Sequence, residues 1–196
     1  MNKLRDNLAA AEKRLQSTLK RFRADDKYKE DYKVAIEKYL KNGYAEVIYE
    51  YEPGSEQEKG DLRGEPGQFF LPHHGVYKNE QRLKLRVVFD SAAKTHGLSL
   101  NDVMYAGPKL QAELPHVIMK FREHEVAYIA DVSDMFSRIH LSPEDAKRHR
   151  FLWQFEGSQK FSVIQMNSLT FGDGASPHVA LATVHKTAEE LSLIHI

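Results

Sequence analysis

Asp131 and Asp134 have the types and spacing in this sequence most suited to chemistry. The apolar run 126–130 ends on Asp131, a second carboxylate follows three residues later, and the aromatic Phe136 comes two residues after that. If the run is a central strand, its exit presents two carboxylates, the ligands that hard divalent cations take. Mg²⁺ binds through one or two protein carboxylates and leaves its other positions to water and phosphate. The same pattern also describes solvated acids in a turn, and spacing alone keeps both readings open. A second motif is Phe171-Gly-Asp-Gly-Ala-Ser-Pro177. A glycine there lets backbone approach a substrate, or simply makes a flexible turn before a helix. No Gly-Lys-Ser/Thr follows, so it is not a Walker loop. The adjacent His73 and His74 point to opposite faces of an extended strand. Without cysteine, and without a histidine pair at i,i+4 on a helix, they argue against zinc.

These residues need elements to hold them. Leu4, Leu8, Ala11, Leu15, Leu19 and Phe22 recur at spacings of three and four, which predicts an amphipathic, basic first helix. Tyr32, Ile36, Tyr39 and Leu40 predict a second over 27–40, closed by Asn42-Gly43. Alternation at Val47, Tyr49 and Tyr51 predicts a strand. Residues 52–67, with four Gly, two Pro and many charges, read as a mobile surface loop. Order resumes at 68–71. Leu83, Leu85, Val87 and Phe89 alternate with Lys84, Arg86 and Val88 in a half-buried strand whose open side is basic. Leu110, Leu114, Val117, Ile118 and Phe121 predict an amphipathic helix, and 126–130 a central strand. Ser142-Pro143 with Glu144 and Asp145 reads as a helix start. Residues 151–155 and 161–166 read as a strand pair turned at 156–158, with Trp153 in the core, and 174–191 as a helix. Strands and helices mix without strict βαβ alternation, so the class is α+β.

The chain has 196 residues, as many basic as acidic, and no cysteine. Disulfide scaffolds, Cys-type zinc sites and thiol nucleophiles are excluded. No apolar run is long enough to span a membrane, and the amino terminus, charged from Lys3 onward, does not read as a signal peptide. The zero net charge is not uniform: residues 1–23 hold seven basic and two acidic side chains, and 24–67 hold seven and twelve. A polyanionic partner responds to that local field, not to the total.

Several segments, taken in order, resemble the reverse transcriptase of Pao/BEL-type long-terminal-repeat retrotransposons. They are Phe70-Leu-Pro-His-His-Gly-Val-Tyr-Lys78, Leu85-Arg-Val-Val-Phe-Asp90 with Ala93-Lys-Thr95, Leu98-Ser-Leu-Asn-Asp102, Gly107-Pro-Lys-Leu-Gln111, Ala130-Asp-Val-Ser-Asp-Met-Phe136, Arg150-Phe-Leu-Trp153 and Phe171–Pro177. The resemblance implies the fingers and partial palm of a right-hand polymerase, preceded by two amphipathic helices. Its divisions would be an N-terminal helical segment 1–43, a fingers-like region 44–125 and a partial palm 126–196. It implies two-metal nucleotidyl transfer, with Mg²⁺ (or Mn²⁺) held by Asp131 and the Val132 carbonyl. Lys78 and Arg86 would grip the incoming deoxynucleoside triphosphate. Phe136 would gate against the ribose 2′-OH, Phe171 and Gly172 would lie beside nucleotide and template, and Asp134 would have a positioning role. The implied partners are an RNA or DNA template-primer and the rest of the Pol polyprotein, with no membrane. The implied location is the cytoplasm or a retroelement particle. Asp173 departs from the pattern, an acid where a small or apolar residue is expected near phosphate.

A Tyr-x-Asp-Asp-like hairpin is missing: after Pro177 the sequence offers Glu189 and Glu190 but no Asp. The expectation is a truncated polymerase, inactive alone, ending in a segment, 191–196, of doubtful origin. Two other readings stand beside it, a non-catalytic nucleic-acid-binding remnant and a helical interaction module built on residues 1–40.

Overall fold

A computed structural model describes residues 4–63, 68–78 and 81–192 of the chain. Both N-terminal helices form where the apolar spacing places them. Helix α1 (Leu8–Ala24) buries Leu8, Ala11, Leu15 and Phe22 along one stripe. The break to α2 (Asp26–Lys41) falls at Asp25, whose carboxylate accepts from the Tyr28 N–H at 2.9 Å and so caps α2. Tyr28, Tyr32 and Ile36, four residues apart, form the buried stripe of α2.

Two antiparallel sheets receive these stripes, and the fold is α+β. The first contains β1 (Ala45–Tyr51), β4 (Arg150–Trp153) and β5 (Phe161–Met166) in the order β1-β5-β4. Its register pairs Tyr51 with Phe161, Ala45 with Met166, and Trp153 with Ser162. A bulge between Val47 and Tyr49 shifts the alternation of β1 and leaves Val47 exposed. The second sheet is β2 (His73–Tyr77) on β3 (Leu85–Phe89), with His73 opposite Phe89 and Val76 opposite Arg86. Between the helices and the sheets lies an aromatic core. Tyr32 stacks on Trp153 at 5.4 Å, and Phe22 meets Trp153 edge-on at 5.8 Å. Each such ring contributes about 1.5–3 kcal/mol by leaving water. His73 is buried here as a neutral imidazole. Its Nε2–H donates to the Leu152 carbonyl at 2.9 Å and Nδ1 accepts from the Tyr32 hydroxyl, while burial lowers its pKa to about 4. His74, one residue on, faces outward. A second cluster joins Leu8, Leu15, Tyr51, Leu62, Phe70 and Phe161. The apolar stripes of residues 8–41 are thus occupied by the chain's own core, which removes the basis for reading them as a free partner-binding module.

Three expectations need correction. Residues 56–63 of the expected loop fold as helix α3 (Glu56–Arg63), because Leu62 finds the second cluster and Lys59 reaches Glu12 on α1 at 3.2 Å. Residues 64–67 of that loop lie outside the described residues, as do 193–196. Helix α5 (Leu114–Phe121) forms as expected but buries none of its residues. The run 126–130 is extended yet belongs to no strand, with Val126, Tyr128 and Ile129 exposed at 68%, 90% and 87%. An apolar run becomes a central strand only where neighbouring edges pair with it, and none of the described strands does so.

The remaining elements are short, apart from the last. Helix α4 (Leu100–Val103) opens on a capping box between Ser99 and Asp102, and α6 (Pro143–Ala146) is capped by Ser142. A 3₁₀ turn spans Met135–Arg138, and α7 runs over Ser176–Ser192. No helix among the described residues is long and apolar enough to cross a membrane.

Candidate functional site

Strand alternation sorts the β2–β3 sheet into two faces. His73 and Gly75 on β2, and Leu85, Val87 and Phe89 on β3, turn into the core, while His74, Val76 and Arg86 turn out. Lys78 and Lys84 are exposed at the open end of this sheet, joined by a backbone bond from Lys78 N–H to the Lys84 carbonyl at 3.2 Å. The outer face is therefore basic at Arg86 and at its open end.

The loop 171–174 docks against the other end of β3. The Phe89 N–H donates to the Phe171 carbonyl at 3.2 Å. Gly172 has φ +117°, and a Cβ on it would sit 1.9 Å from the Phe89 carbonyl oxygen, so the approach admits only glycine. Asn101 on α4 brackets the loop, donating to the Gly172 carbonyl at 3.1 Å and accepting from the Gly174 N–H at 2.9 Å. Asp173 turns inward instead of toward a phosphate. Its carboxylate accepts from the Ser91 hydroxyl, from Thr170 Oγ1 at 2.7 Å and from His149 Nε2 at 2.8 Å. His149 Nδ1 also donates, to the Asp145 carbonyl at 2.8 Å. Both ring nitrogens face acceptors, an arrangement that favours the imidazolium. Burial disfavours its charge, but the hydrogen bond and attraction of Asp173 prevail and raise its pKa. For Asp173, burial is likewise outweighed by His149 and the two hydroxyls, and its pKa is lowered. Asp173, the acid unexpected at this position, is thus the anchor of the loop.

The segment 131–141 runs beside this loop. Leu169 N–H donates to the Ile139 carbonyl at 3.0 Å and Leu141 N–H to the Asn167 carbonyl at 2.9 Å. That tie sets the Phe136 ring 4.8 Å from the Phe171 ring, with Phe171 46% exposed. Asp134, at φ +52°, forms an ion pair with Lys38 of α2 at 2.6 Å. Its pKa is lowered first by the Lys38 hydrogen bond and further by the charges of Lys84 and Arg138. Asp134 is thereby tied to α2 within the field of the basic end of the sheet. Asp131 and Val132 are exposed. No hydrogen bond or ion pair among the described residues engages the Asp131 carboxylate.

The structure brings Phe136, Phe171 and Gly172 together at the end of β3 and sets Arg86 on the same strand, with Lys78 at the sheet's open end. No hydrogen bond or ion pair among the described residues links Asp131 to them. As a cation site the set is partial: Asp131 and the Val132 carbonyl are available, Asp134 is held by Lys38, and no three His, Asp or Glu side chains among the described residues could hold a metal ion. A two-metal centre needs more carboxylates than that. Sequence reasoning missed Lys38, Ser91, Asn101 and His149. Asn101 lies inside one of the quoted motifs, and the unexpected acid at 173 was a signal that a buried cation partner existed.

No protein-family model matches the chain, and neither does any curated protein.

Proposed function

We propose that this chain is the fingers and first palm portion of an RNA-directed DNA polymerase of Pao/BEL type, and that the end of β3 binds a deoxynucleoside triphosphate. The observation that supports the reading is the meeting of Phe136 with the sequence-distant loop of Phe171 and Gly172 against the strand that carries Arg86. In this reading Arg86 offers a planar pair of N–H donors to phosphate oxygens and Lys78 adds a point charge. The backbone at Gly172 forms the floor beside the base, and the Phe136 ring excludes a ribose 2′-OH. Asp131 and the Val132 carbonyl would hold Mg²⁺ or Mn²⁺, which when bound neutralises the developing charge of phosphoryl transfer. With a single unengaged carboxylate in the 131–136 segment, the chain by itself is expected to bind nucleotide and template-primer without extending a primer. The remaining Pol polyprotein is the proposed source of the missing acids.

The engagement of Asp134 by Lys38 also suits a nucleic-acid-binding remnant that has no chemistry. Mg²⁺-dependent binding of dTTP separates the two. Under the polymerase reading dTTP binds more tightly than UTP, Phe136→Ala removes the preference, and Asp131→Asn weakens the Mg²⁺ dependence. Equal affinity for dTTP and UTP, unchanged by either substitution, overturns the polymerase reading.

A further inference from the structure

A cleft of about 230 Å³ opens between α1 and the outer edge of β2. Its wall includes Arg14, Thr18 and Arg21 from α1, Tyr28 from α2, His74 from β2, and Asp90 just after β3. Arg14 and Arg21 lie seven residues apart on one helix face, two turns or about 10 Å along the axis. Arg21 is fixed in place, its guanidinium carbon 3.8 Å from the centre of the Tyr28 ring. Stacking of that kind holds the guanidinium plane while its N–H edges stay available, so little freedom is lost when an anion arrives. Arg14 has no ion-pair partner among the described residues. Asp90 is the only acid in the wall, so the two positive charges outweigh it. The surrounding helix adds Lys13, Lys20 and Arg23, part of the basic excess of residues 1–23. His74 belongs both to this cleft and to the outward face that carries Val76 and Arg86.

We propose that this cleft is a subsite for the sugar-phosphate backbone of a single-stranded nucleic acid, with Arg14 and Arg21 on two phosphates of one strand and His74 leading that strand toward the face of Arg86. Two guanidiniums borne two turns apart on one helix, one of them stacked, suit a continuous polyanion better than one isolated phosphate. The inference rests on the polymerase reading for the strand's destination, and its residues lie outside the motifs that carry that reading.

The test is fluorescence anisotropy of a short labelled oligo(dT) with the full chain across a salt series. Arg14→Gln with Arg21→Gln is expected to weaken binding about tenfold and to flatten the dependence of log K on log salt by about 1.4, two single-strand contacts' worth. The control pair Lys13→Gln with Lys20→Gln removes the same charge from α1 outside the cleft and is expected to weaken binding less than threefold, by roughly its diffuse field alone. Arg14→Glu, which leaves the Arg21–Tyr28 stack intact, is expected to give an independent loss. Equal losses for the two pairs, or no change in affinity and salt slope for the arginine pair, overturn the cleft. Binding of dTTP is measured alongside in every variant. If dTTP still binds while oligo(dT) ignores Arg14 and Arg21, only the cleft fails; if the unsubstituted chain binds neither, both proposals fail.

Discussion

Gly172→Ala is the sharpest perturbation of the loop that faces Phe136. Two costs follow from its geometry. At φ +117° an alanine is held in a region L residues rarely adopt, which costs about 1–3 kcal/mol. Its Cβ would also stand 1.9 Å from the Phe89 carbonyl oxygen, a backbone atom at the end of a paired strand that cannot swing aside as a side chain can. The loop must retreat, and the Phe89 N–H to Phe171 bond goes with it, a further loss of about 0.5–1.5 kcal/mol. The sum, about 1.5–4.5 kcal/mol, is a large share of the roughly 5–15 kcal/mol that holds a domain folded. Gly157→Ala is the matched control: φ is +78° there, but nothing lies within 4 Å of the added Cβ, so only the backbone cost of about 1–2 kcal/mol applies. Urea unfolding followed through the single tryptophan, Trp153, reports both variants from inside the core. Gly172→Ala should lower the midpoint clearly more than Gly157→Ala and should also weaken dTTP binding. If Gly172→Ala is no less stable than the control, the loop does not dock on β3 as described.

Two buried histidines give opposite limbs to the pH dependence of stability. His73, lowered to about 4 by burial, takes up its proton later in the folded chain than in the unfolded one, so stability falls as pH drops from about 6.5 toward 4. His149 is raised, so its contribution is full below about 6.5 and is lost as pH climbs through its folded value. Urea midpoints should peak near pH 6.5, by roughly these two terms, and His149→Gln should abolish the alkaline decline while keeping the acid one; a flat profile refutes both assignments. His149→Ala leaves Asp173 charged and buried, which should cost about 3–5 kcal/mol at pH 6 by denaturant titration, and a loss under about 1 kcal/mol would contradict the anchor. Tyr32→Phe strands His73 Nδ1 without its donor and should cost about 1–3 kcal/mol on the same assay. Asp134→Asn breaks a half-exposed pair and should change stability by less than about 1 kcal/mol; a much larger loss would mean that Asp134 holds more than the Lys38 contact.

Much of the fold could be read from local pattern. The stripes of α1 and α2, the β4–β5 hairpin and the inward placement of Trp153 all follow from periodicities that the tertiary structure respects. The failures share a cause, since periodicity shows that a face is apolar and not whether a partner exists for it. Residues 56–63 looked too polar to order, yet Leu62 and Lys59 found α1. Helix α5 and residues 126–130 looked like core, yet no described element covers them. The site divides in the same way. Phe136, Phe171 and Gly172 were marked by motif, and the structure adds their contact. Lys38, Asn101 and His149 act through space on Asp134, Gly172 and Asp173, and no local spacing announces such long-range pairs.

The central claim is that the end of β3, with Phe136, Phe171 and Gly172, binds a deoxynucleoside triphosphate. Amide-resolved NMR of the labelled chain during a dTTP titration with Mg²⁺ tests it most directly. Saturable shifts should concentrate at Lys78, Arg86, Phe136, Phe171 and Gly172, and Arg86→Gln should weaken the binding that produces them. Absence of saturable shifts would contradict the claim. So would shifts centred instead on the cavity of about 320 Å³ between α2 and the β4–β5 turn, where Glu156 bridges Lys29 and Lys33.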